Sequence, residues 1–496
     1  MSMHRFLAFD LGAESGRAAT GTLAEGRLSL EEILRFPNEP VKIHNTVHWD
    51  VLALFHNILK ALKICRERFG NSLEGIGIDT WAVDFGLIAA DGTLLQNPVT
   101  YRDHRTEGLE GEMLARIPAP ELYKRTGIPF SAMQTLGQLY SLRSKHSPVL
   151  SSAASLLLMP DLLGYFLSGA KCCERSAAIM TQLYEASSRN WSEEIFRRFD
   201  LPFSIMPTLV DSGTVIGELA DCVAAETGLQ HAWVIAPCTH DTSSAVAGVP
   251  GVGDNWAFLS SGTWSVLGAL TQQTVNSPAA FSAGFASELT VGSFFLCRNL
   301  WGLWLLQQAR RVWQAEGHTY SYQELSQLAE QLPAAGPLID PSHECFFAPE
   351  NMLRAIHEYC RRSGQPPPEG PGEVTRCILD SLALAYRQAL DQLSGMMGKQ
   401  FGILHNVGGG SLNSFLCQST ANATRTLVKA GPVEATVAGN VLTQALARGY
   451  LASPGEIREV VHRSNEMVEY EPKDAGTWED RYGRYLQIAE ATKNSR

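Results

Sequence analysis

The sequence predicts an α/β protein built from two similar domains, and three observations carry that expectation. The chain opens with a strand, a Gly-rich turn and a returning strand in "HRFLAFDLGAESGRAATGTL", and about 250 residues later "NWAFLSSGTWSVLGAL" repeats the plan. Short apolar strands at 75–79 ("GIGID"), 232–237 ("AWVIAP") and 401–407 ("FGILHNV") alternate with long helical patterns, the mark of an α/β chain. A length of 496 residues, with 45% hydrophobic and 18% charged content, is enough for a large core divided among domains.

Taken in order, residues 6–9 are an apolar strand, 12–16 a turn and 18–23 the return of the first hairpin. "WDVLALFHNILKALKICRERFG" reads as a helix capped by Asp50 and ended by Gly70. "LLLMPDLLGYFLSG", "RNLWGLWLLQQARRVWQAEG" and "PGEVTRCILDSLALAYRQALDQLSGMMG" read the same way. At 234–249, "VIAPCTHDTSSAVAGV" is a strand that ends in a turn and feeds a tightly packed helix. Its small residues Ser243, Ser244, Ala245, Ala247 and Gly248 let a backbone come close. The second hairpin follows, with strands at 256–259 and 264–270 around "SSGT". "GQPPPEGPGE" (364–373) is read as a surface loop between two helices, and the last helix, near "WEDRYGRYLQIAEATK", is expected to cross back onto the first domain. The expected boundaries are 1–245, 246–455 and a helical segment at 456–496.

Composition narrows the function. The net charge of -11 is spread along the chain and argues against nucleic acid or an anionic membrane as partner. Ten scattered cysteines without a CxxC pair argue for reduced thiols over a zinc site or disulfide scaffold, with a Cys360–Cys377 pairing left open. "MSMHRFLAFDLG" reaches an acid after four apolar positions and no apolar run reaches about 18 residues, so neither a leader nor a membrane span is expected and the cytoplasm is the default. A P-loop, a GxGxxG after a strand, HExxH, GxSxG and the protein-kinase catalytic loop are all missing.

Four stretches offer chemistry. In "DLGAESGR", Asp10 ends a strand and Gly12, Ser15, Gly16 and Arg17 supply backbone N–H groups, a hydroxyl and a guanidinium suited to phosphate. An acid beside phosphates suits Mg²⁺, bound directly or through water. A tight hairpin capped by Asp is the alternative, and Glu14 opposes an anion. The turn at 260–263 adds hydroxyl and backbone donors, although its composition is that of an ordinary turn. In "HNVGGGSLNSFLCQSTANAT" a strand ends at Val407, and Gly408, Gly409 and Gly410 lead into a helix expected near Ser411. A purine could lie flat there, or the glycines serve close helix packing, and the downstream "GPVEATVAGN" would close the same pocket. Asp241 is the fourth. Phosphoryl transfer needs positioning, charge neutralisation and a carboxylate that accepts the proton of the attacking hydroxyl, with His240 and Thr242 left for the other hydroxyls of a polyol. A simple helix cap at Asp241 is the competing reading.

"FDLGAESGR", "GIDTWAVDFGLI", "YRDHRT", "LLLMPDLLGYFLSG", "THDTSSAV", "LSSGTWSVLG", "RNLWGLWLLQ" and "NVGGGSLNSFLCQ" together resemble, in order and over nearly the whole chain, the FGGY carbohydrate kinases. The resemblance implies an actin-like, ribonuclease-H-like fold in two domains around a central catalytic cleft, with ATP and Mg²⁺. Through "THDT" and "DTWAVDFG" it implies L-rhamnulose as the acceptor, phosphorylated at its 1-hydroxyl. Carried over residue by residue, it puts nucleotide phosphates on Ala13, Glu14, Ser15, Gly16, Arg17 and Thr263, and the adenosine side on Gln307 and Gly409. Asp10 serves the metal, Asp241 is the base, and His240, Asp241, Thr242, Asn299 and the backbone at Ala82 contact sugar. The chain departs at Ala82, where glycine is common in the relatives, and the extra methyl narrows the pocket. L-fuculose and L-xylulose are the competing ketoses, since rejecting an epimer depends on buried hydrogen bonds. Trp81 and Trp301 or Trp304 line a sugar or pack in a core, and Asp84 and Asp103 bind sugar or cap turns. Domain closure around both substrates is expected, because water in the cleft would be phosphorylated instead. A non-catalytic nucleotide-binding sugar sensor shares this architecture, but intact Asp10, Arg17 and Asp241 favour an enzyme. Its partners are small molecules, and monomer and homodimer are equally open.

Overall fold

The computed structural model describes residues 3–493. The opening hairpin forms as β1 (Met3–Leu11) and β2 (Ser15–Ala24), and β3 (Arg27–Pro37) pairs antiparallel with β2. Phe6, Leu7, Ala8 and Phe9 are all buried because β1 is covered on both faces: Leu7, Phe9 and Leu11 enter one core, Phe6 and Ala8 another. The first core is closed by α1 (Val51–Phe69). Its cap is as expected, with the Asp50 carboxylate accepting the Ala53 N–H at 3.0 Å and Gly70 turning the chain at φ 64°.

Parallel to β1 runs β4 (Leu73–Thr80). The apolar run before α2 (Met159–Ser168) is a strand, Ser155–Leu158, rather than the start of a helix. It pairs with Phe85–Ile88, and Pro160 sits in the first turn of α2, where its missing N–H costs nothing. After β5 (Thr214–Glu218), β6 (Trp233–Ala236) runs parallel to β4 and leads to α3 (Asp241–Ala247). This sheet has the order β5-β6-β4-β1-β2-β3.

Beyond residue 252 come β7 (Trp256–Ser261), β8 (Trp264–Thr271), β9 (Phe285–Thr290), β10 (Ser293–Trp301), α4 (Trp304–Ala315) and α5 (Gly370–Met397). Then follow β11 (Ile403–Val407), α6 (Ser414–Thr424), β12 (Leu427–Ala430), α7 (Ala435–Ala447), α8 (Pro454–Ser464), β13 (Val468–Tyr470) and α9 (Ala475–Lys493). The helix after the three glycines starts at Ser414, not near Ser411. Residues 409–412 wind as a 3₁₀ turn, and Asn413 caps α6 by accepting the Leu416 N–H at 2.9 Å. "GQPPPEGPGE" is loop only to residue 369, and its last residues open α5.

The chain folds into two compact units, each discontinuous. The first contains the residues up to Val252 together with Leu270–Leu296 and Ala435–Ser464, so β9, α7 and α8 belong to it. The second contains Gly253–Ala269, Cys297–Glu434 and the residues from Asn465 onward, with strands in the order β10-β8-β7-β11-β12-β13. These bounds depart from 245/246 and 455/456, and α9 does not join the first unit. It packs on α5 and α6 within the second, where Arg481 donates to the fully buried Asp380 of α5 at 2.7 Å.

Small residues explain why α7 joins the first unit. A Cβ on Gly439 of α7 would lie 1.9 Å from the Ser244 carbonyl oxygen, and one on Gly248, which ends α3, 2.1 Å from the Ala435 carbonyl oxygen. Only glycine at both points lets the two helix backbones touch. The small-residue run seen in the sequence thus serves helix contact.

Candidate active site

Three strand ends of the first unit meet where a parallel sheet ordinarily offers its ligand site. Asp10, near the end of β1, stands opposite Arg17 of β2 on one side and Asp79 of β4 on the other. Thr80 bridges to His240 just before α3, and its N–H donates to the Thr239 carbonyl at 3.0 Å. Register therefore gathers Asp10, Arg17, Asp79, His240 and Asp241.

Arg17 donates through Nε and Nη2 to Asp10 Oδ2, at 2.9 and 2.7 Å. The turn above them is held by the Gly12 N–H on the Ser15 carbonyl at 2.9 Å, and Glu14 and Ser15 are exposed while Gly16 is buried. Asp79 is completely buried and accepts from Asn440 of α7 at 2.6 Å. Burial first, then the charges of Asp10 and Asp241, push its carboxyl well above the usual range, so it favours its proton.

His240, not Asp241, stands at the N-cap of α3 and makes no side-chain capping bond, and Asp241 is the first residue of the helix. Its Oδ1 accepts the Thr242 N–H at 2.5 Å and the Thr242 hydroxyl at 3.2 Å, and lies 3.4 Å from His240 Nε2. Among the described residues Oδ2 takes no hydrogen bond, and 35% of the side chain is exposed. Desolvation raises the Asp241 pKa, His240 draws it down and Asp10 raises it again, leaving it above the ordinary value. For His240, burial opposes charge, yet Glu288, Asp241 and Glu174 outweigh it and the imidazole titrates above its ordinary value.

The backbone at Ala82 is fixed by its neighbours. Val83, a β-branched residue, sits at φ 76°, in the left-handed region that strains such a side chain. Its carbonyl accepts from Thr135 Oγ1 at 2.7 Å. Asp84 is buried and takes four donors: Trp49 Nε1 at 2.6 Å, Trp81 Nε1 at 3.0 Å, the Tyr101 N–H at 3.2 Å and Gln138 Nε2 at 2.9 Å. Desolvation raises its pKa, although the donors pull against it. Asp84 therefore orients the Trp49–Trp81 pair, whose ring centroids lie 4.2 Å apart, and Asp103 caps its turn by accepting the Val47 and Arg105 N–H groups.

In the second unit, Thr263 sits in the β7–β8 turn. Its carbonyl accepts the N–H groups of Gly302 and Trp304, and its hydroxyl accepts from Gln307 Nε2 at 3.1 Å. Two of the expected nucleotide residues thus touch. Gly408 holds φ 83° with its Cα against the Ser261 backbone, a Cβ on Gly410 would strike Ser261 Oγ at 2.0 Å, and a Cβ on Gly409 would meet nothing within 4 Å. The first and third glycines serve close packing and the middle one faces open space. Asn299 lies exposed on β10, and Trp301 stacks on the half-exposed Trp264 with centroids 3.9 Å apart.

Sequence reasoning did not single out Asp79, Glu174, Glu288 or Asn440. Glu174 is fully buried and binds the segment before Asp241, accepting from the Thr239 N–H at 3.0 Å and the Thr239 hydroxyl at 2.9 Å. An acid inside an apolar strand, as in "GIGID" and "FASELT", was the available signal.

The chain is thus an α/β protein of two units, with a Gly/Ser hairpin turn in each and an open carboxylate beside a histidine at the strand ends of the first. Residues 5–248 match the N-terminal domain and residues 257–448 the C-terminal domain of the FGGY family of carbohydrate kinases, and the chain belongs to that family. It is 41% identical over 478 residues to a rhamnulokinase of Bacteroides thetaiotaomicron, covering 96% of this chain and 98% of that one. With a rhamnulokinase of Enterococcus faecalis it shares 37% identity over 97% of both chains. Among solved structures, gluconate kinase from Lactobacillus acidophilus superimposes with a TM-score of 0.83 at 15% identity, covering 100% of this chain and 99% of that one. Plasmodium falciparum glycerol kinase with ADP gives 0.78 at 15% identity, over 98% of both. These likenesses bear out the expected two-domain actin-like fold.

Proposed function

We propose that the chain transfers the γ-phosphoryl group of ATP to the 1-hydroxyl of L-rhamnulose, giving L-rhamnulose 1-phosphate and ADP. The observation that carries the chemistry is Asp241, whose Oδ1 is occupied by Thr242 and His240 while Oδ2 stays open and solvent-accessible. The sugar comes from the rhamnulokinase relatives. In the step, Asp241 Oδ2 takes the proton of the 1-hydroxyl, that oxygen forms the bond to the γ-phosphorus, and the bond from the γ-phosphorus to the bridging oxygen breaks to release ADP. His240 and Thr242 orient the base and the neighbouring hydroxyls, with the Ala82 backbone and Asn299 as further sugar contacts.

We assign the ATP phosphates to the turn of Ala13, Glu14, Ser15, Gly16 and Arg17 and to Thr263, and the adenosine side to Gln307 and Gly409. Mg²⁺ suits Asp10: Arg17 donates to its Oδ2, and a hard ion that keeps most of its water needs few protein oxygens. Bound there, the ion would neutralise phosphate charge. The reading puts the enzyme in the cytoplasm, where ATP is at hand.

The test is coupled ADP release by wild type and Asp241→Asn with L-rhamnulose, L-fuculose, L-xylulose, D-xylulose and glycerol. Preference for L-rhamnulose that falls about 10²- to 10⁴-fold in the variant supports the reading. Another preferred sugar moves the specificity to the pocket around Ala82 and His240, and no turnover with any sugar points to a nucleotide-binding sensor.

A further inference from the structure

The first unit contains a second carboxylate aimed at the base's histidine. Glu288 lies in β9, "FASELT", a strand whose six residues are all buried, and only 1% of its surface is exposed. Its Oε2 stands 3.4 Å from His240 Nδ1, and His240 Nε2 stands 3.4 Å from Asp241 Oδ1. The imidazole thus lies between two carboxylates, one on each ring nitrogen.

We propose that Glu288 is a positioning residue for phosphoryl transfer, acting through His240 on Asp241. The inference rests on the reading of Asp241 as the base. An acid buried in a strand is costly unless a partner needs it there, and β9 packs directly on α3, which carries the base. With Glu288 on Nδ1 and Asp241 on Nε2, the ring plane is fixed and the doubly protonated imidazolium is favoured, its Nε2–H facing Asp241 Oδ1, so Oδ2 is the oxygen left for the sugar hydroxyl. Two other groups reach the histidine: Ser243 Oγ shares Nδ1 with Glu288 at 3.4 Å, and Glu174 acts through Thr239 and through Ser176, whose hydroxyl accepts the His240 N–H. The charged groups acting on the imidazole are Glu288 from β9, Asp241 beside it and Glu174 from the Cys172–Glu174 strand.

The experiment uses the full chain with MgATP and L-rhamnulose, comparing wild type, Glu288→Gln, Glu288→Asp, His240→Asn and the Glu288→Gln/His240→Asn double variant. Glu288→Gln should lower kcat at least about 10-fold with the KM for ATP unchanged. It should also move the acid limb of the kcat profile upward by about 0.5–1 pH unit, because an imidazole that loses a carboxylate gives up its charge more readily and Asp241 loses its cation. Glu288→Asp should restore the limb. In the His240→Asn background, Glu288→Gln should add less than about a 2-fold effect, since the two act in series. An unmoved limb in Glu288→Gln, or its full effect persisting without His240, overturns the proposal. Should Glu288→Gln fail to fold, NMR titration of the His240 imidazole in wild type and Glu288→Asp decides: an imidazole that titrates above the ordinary histidine value in both supports the contact, and one that titrates at or below it in wild type overturns it. A wild type without turnover on any sugar sinks the kinase reading itself, a result distinct from an active wild type whose Glu288 variants are silent.

Discussion

Replacing Gly439 by alanine tests whether the contact between α3 and α7 holds Asp241, the base we propose, in place. The added Cβ would lie 1.9 Å from the Ser244 carbonyl oxygen, 2.8 Å from its carbon and 3.0 Å from the Gly248 nitrogen, all of them backbone. A carbon and a carbonyl oxygen ordinarily keep about 3.3–3.6 Å apart, so the helices must part by more than about 1 Å. Backbone cannot swing aside as a side chain can. Overpacking of this kind costs about 1–3 kcal/mol. Because α3 is seven residues long and begins at Asp241, the displacement reaches the base, where about 1 Å of misplacement costs about 10²-fold in rate. Thermal melting and coupled ADP release would read both effects. The matched control is Gly395→Ala in α5, where a Cβ meets nothing within 4 Å and the exchange should stabilise by about 0.5–1 kcal/mol. If Gly439→Ala melts like the control and keeps kcat within about 3-fold of wild type, steric support of the base by α7 is refuted.

Two further outcomes follow from buried acids. Burial pushes Asp161 up to about 8, so the folded state holds a proton that the unfolded chain releases near 4. Its contribution is fully present below the unfolded value and is lost as pH rises toward 8, at up to about 1.4 kcal/mol per pH unit. Asp161→Asn keeps an acceptor for the Glu174 N–H and should flatten the decline of the urea midpoint between pH 5 and pH 8, and equal slopes in both proteins would contradict this. Asp84→Ala strands two indole N–H groups at about 1–3 kcal/mol each and should raise the KM for sugar while sparing that for ATP. An unchanged sugar KM would disconnect the tryptophan pair from the sugar pocket.

Short-range signals were legible in the sequence. Both hairpins, the capped helix α1 and the strand–turn–helix carrying Asp241 are set by neighbouring residues, and each formed as expected. The Ser155–Leu158 run misled because three leucines shortly before a proline fit a strand as well as a helix. Unit membership was hidden for another reason: α7 joins the first unit through glycines at 248 and 439, whose meeting no local pattern encodes. The same limit applies to the site. Asp10 and Asp241 stand next to recognisable turns, whereas Asp79 reaches them only through β1–β4 register and Glu288 only through the packing of β9 on α3. Asp84 showed the reverse, since its acid was visible but its four donors come from four separate stretches of chain.

The threading of the first unit through the chain has a consequence for synthesis. When Val252 leaves the ribosome, the strands that bear Asp10 and Asp79 and the helix that begins at Asp241 have been made, but the α7 segment beginning at Ala435 has not. At ~5–20 residues per second that segment appears about 10–40 s later. Until then Asp79 has no Asn440 to bind and the glycine face of α3 has no helix to cover it. A nascent chain cut short in this interval carries the base without its support, so message truncation yields no partial enzyme, only a client for chaperones and proteases.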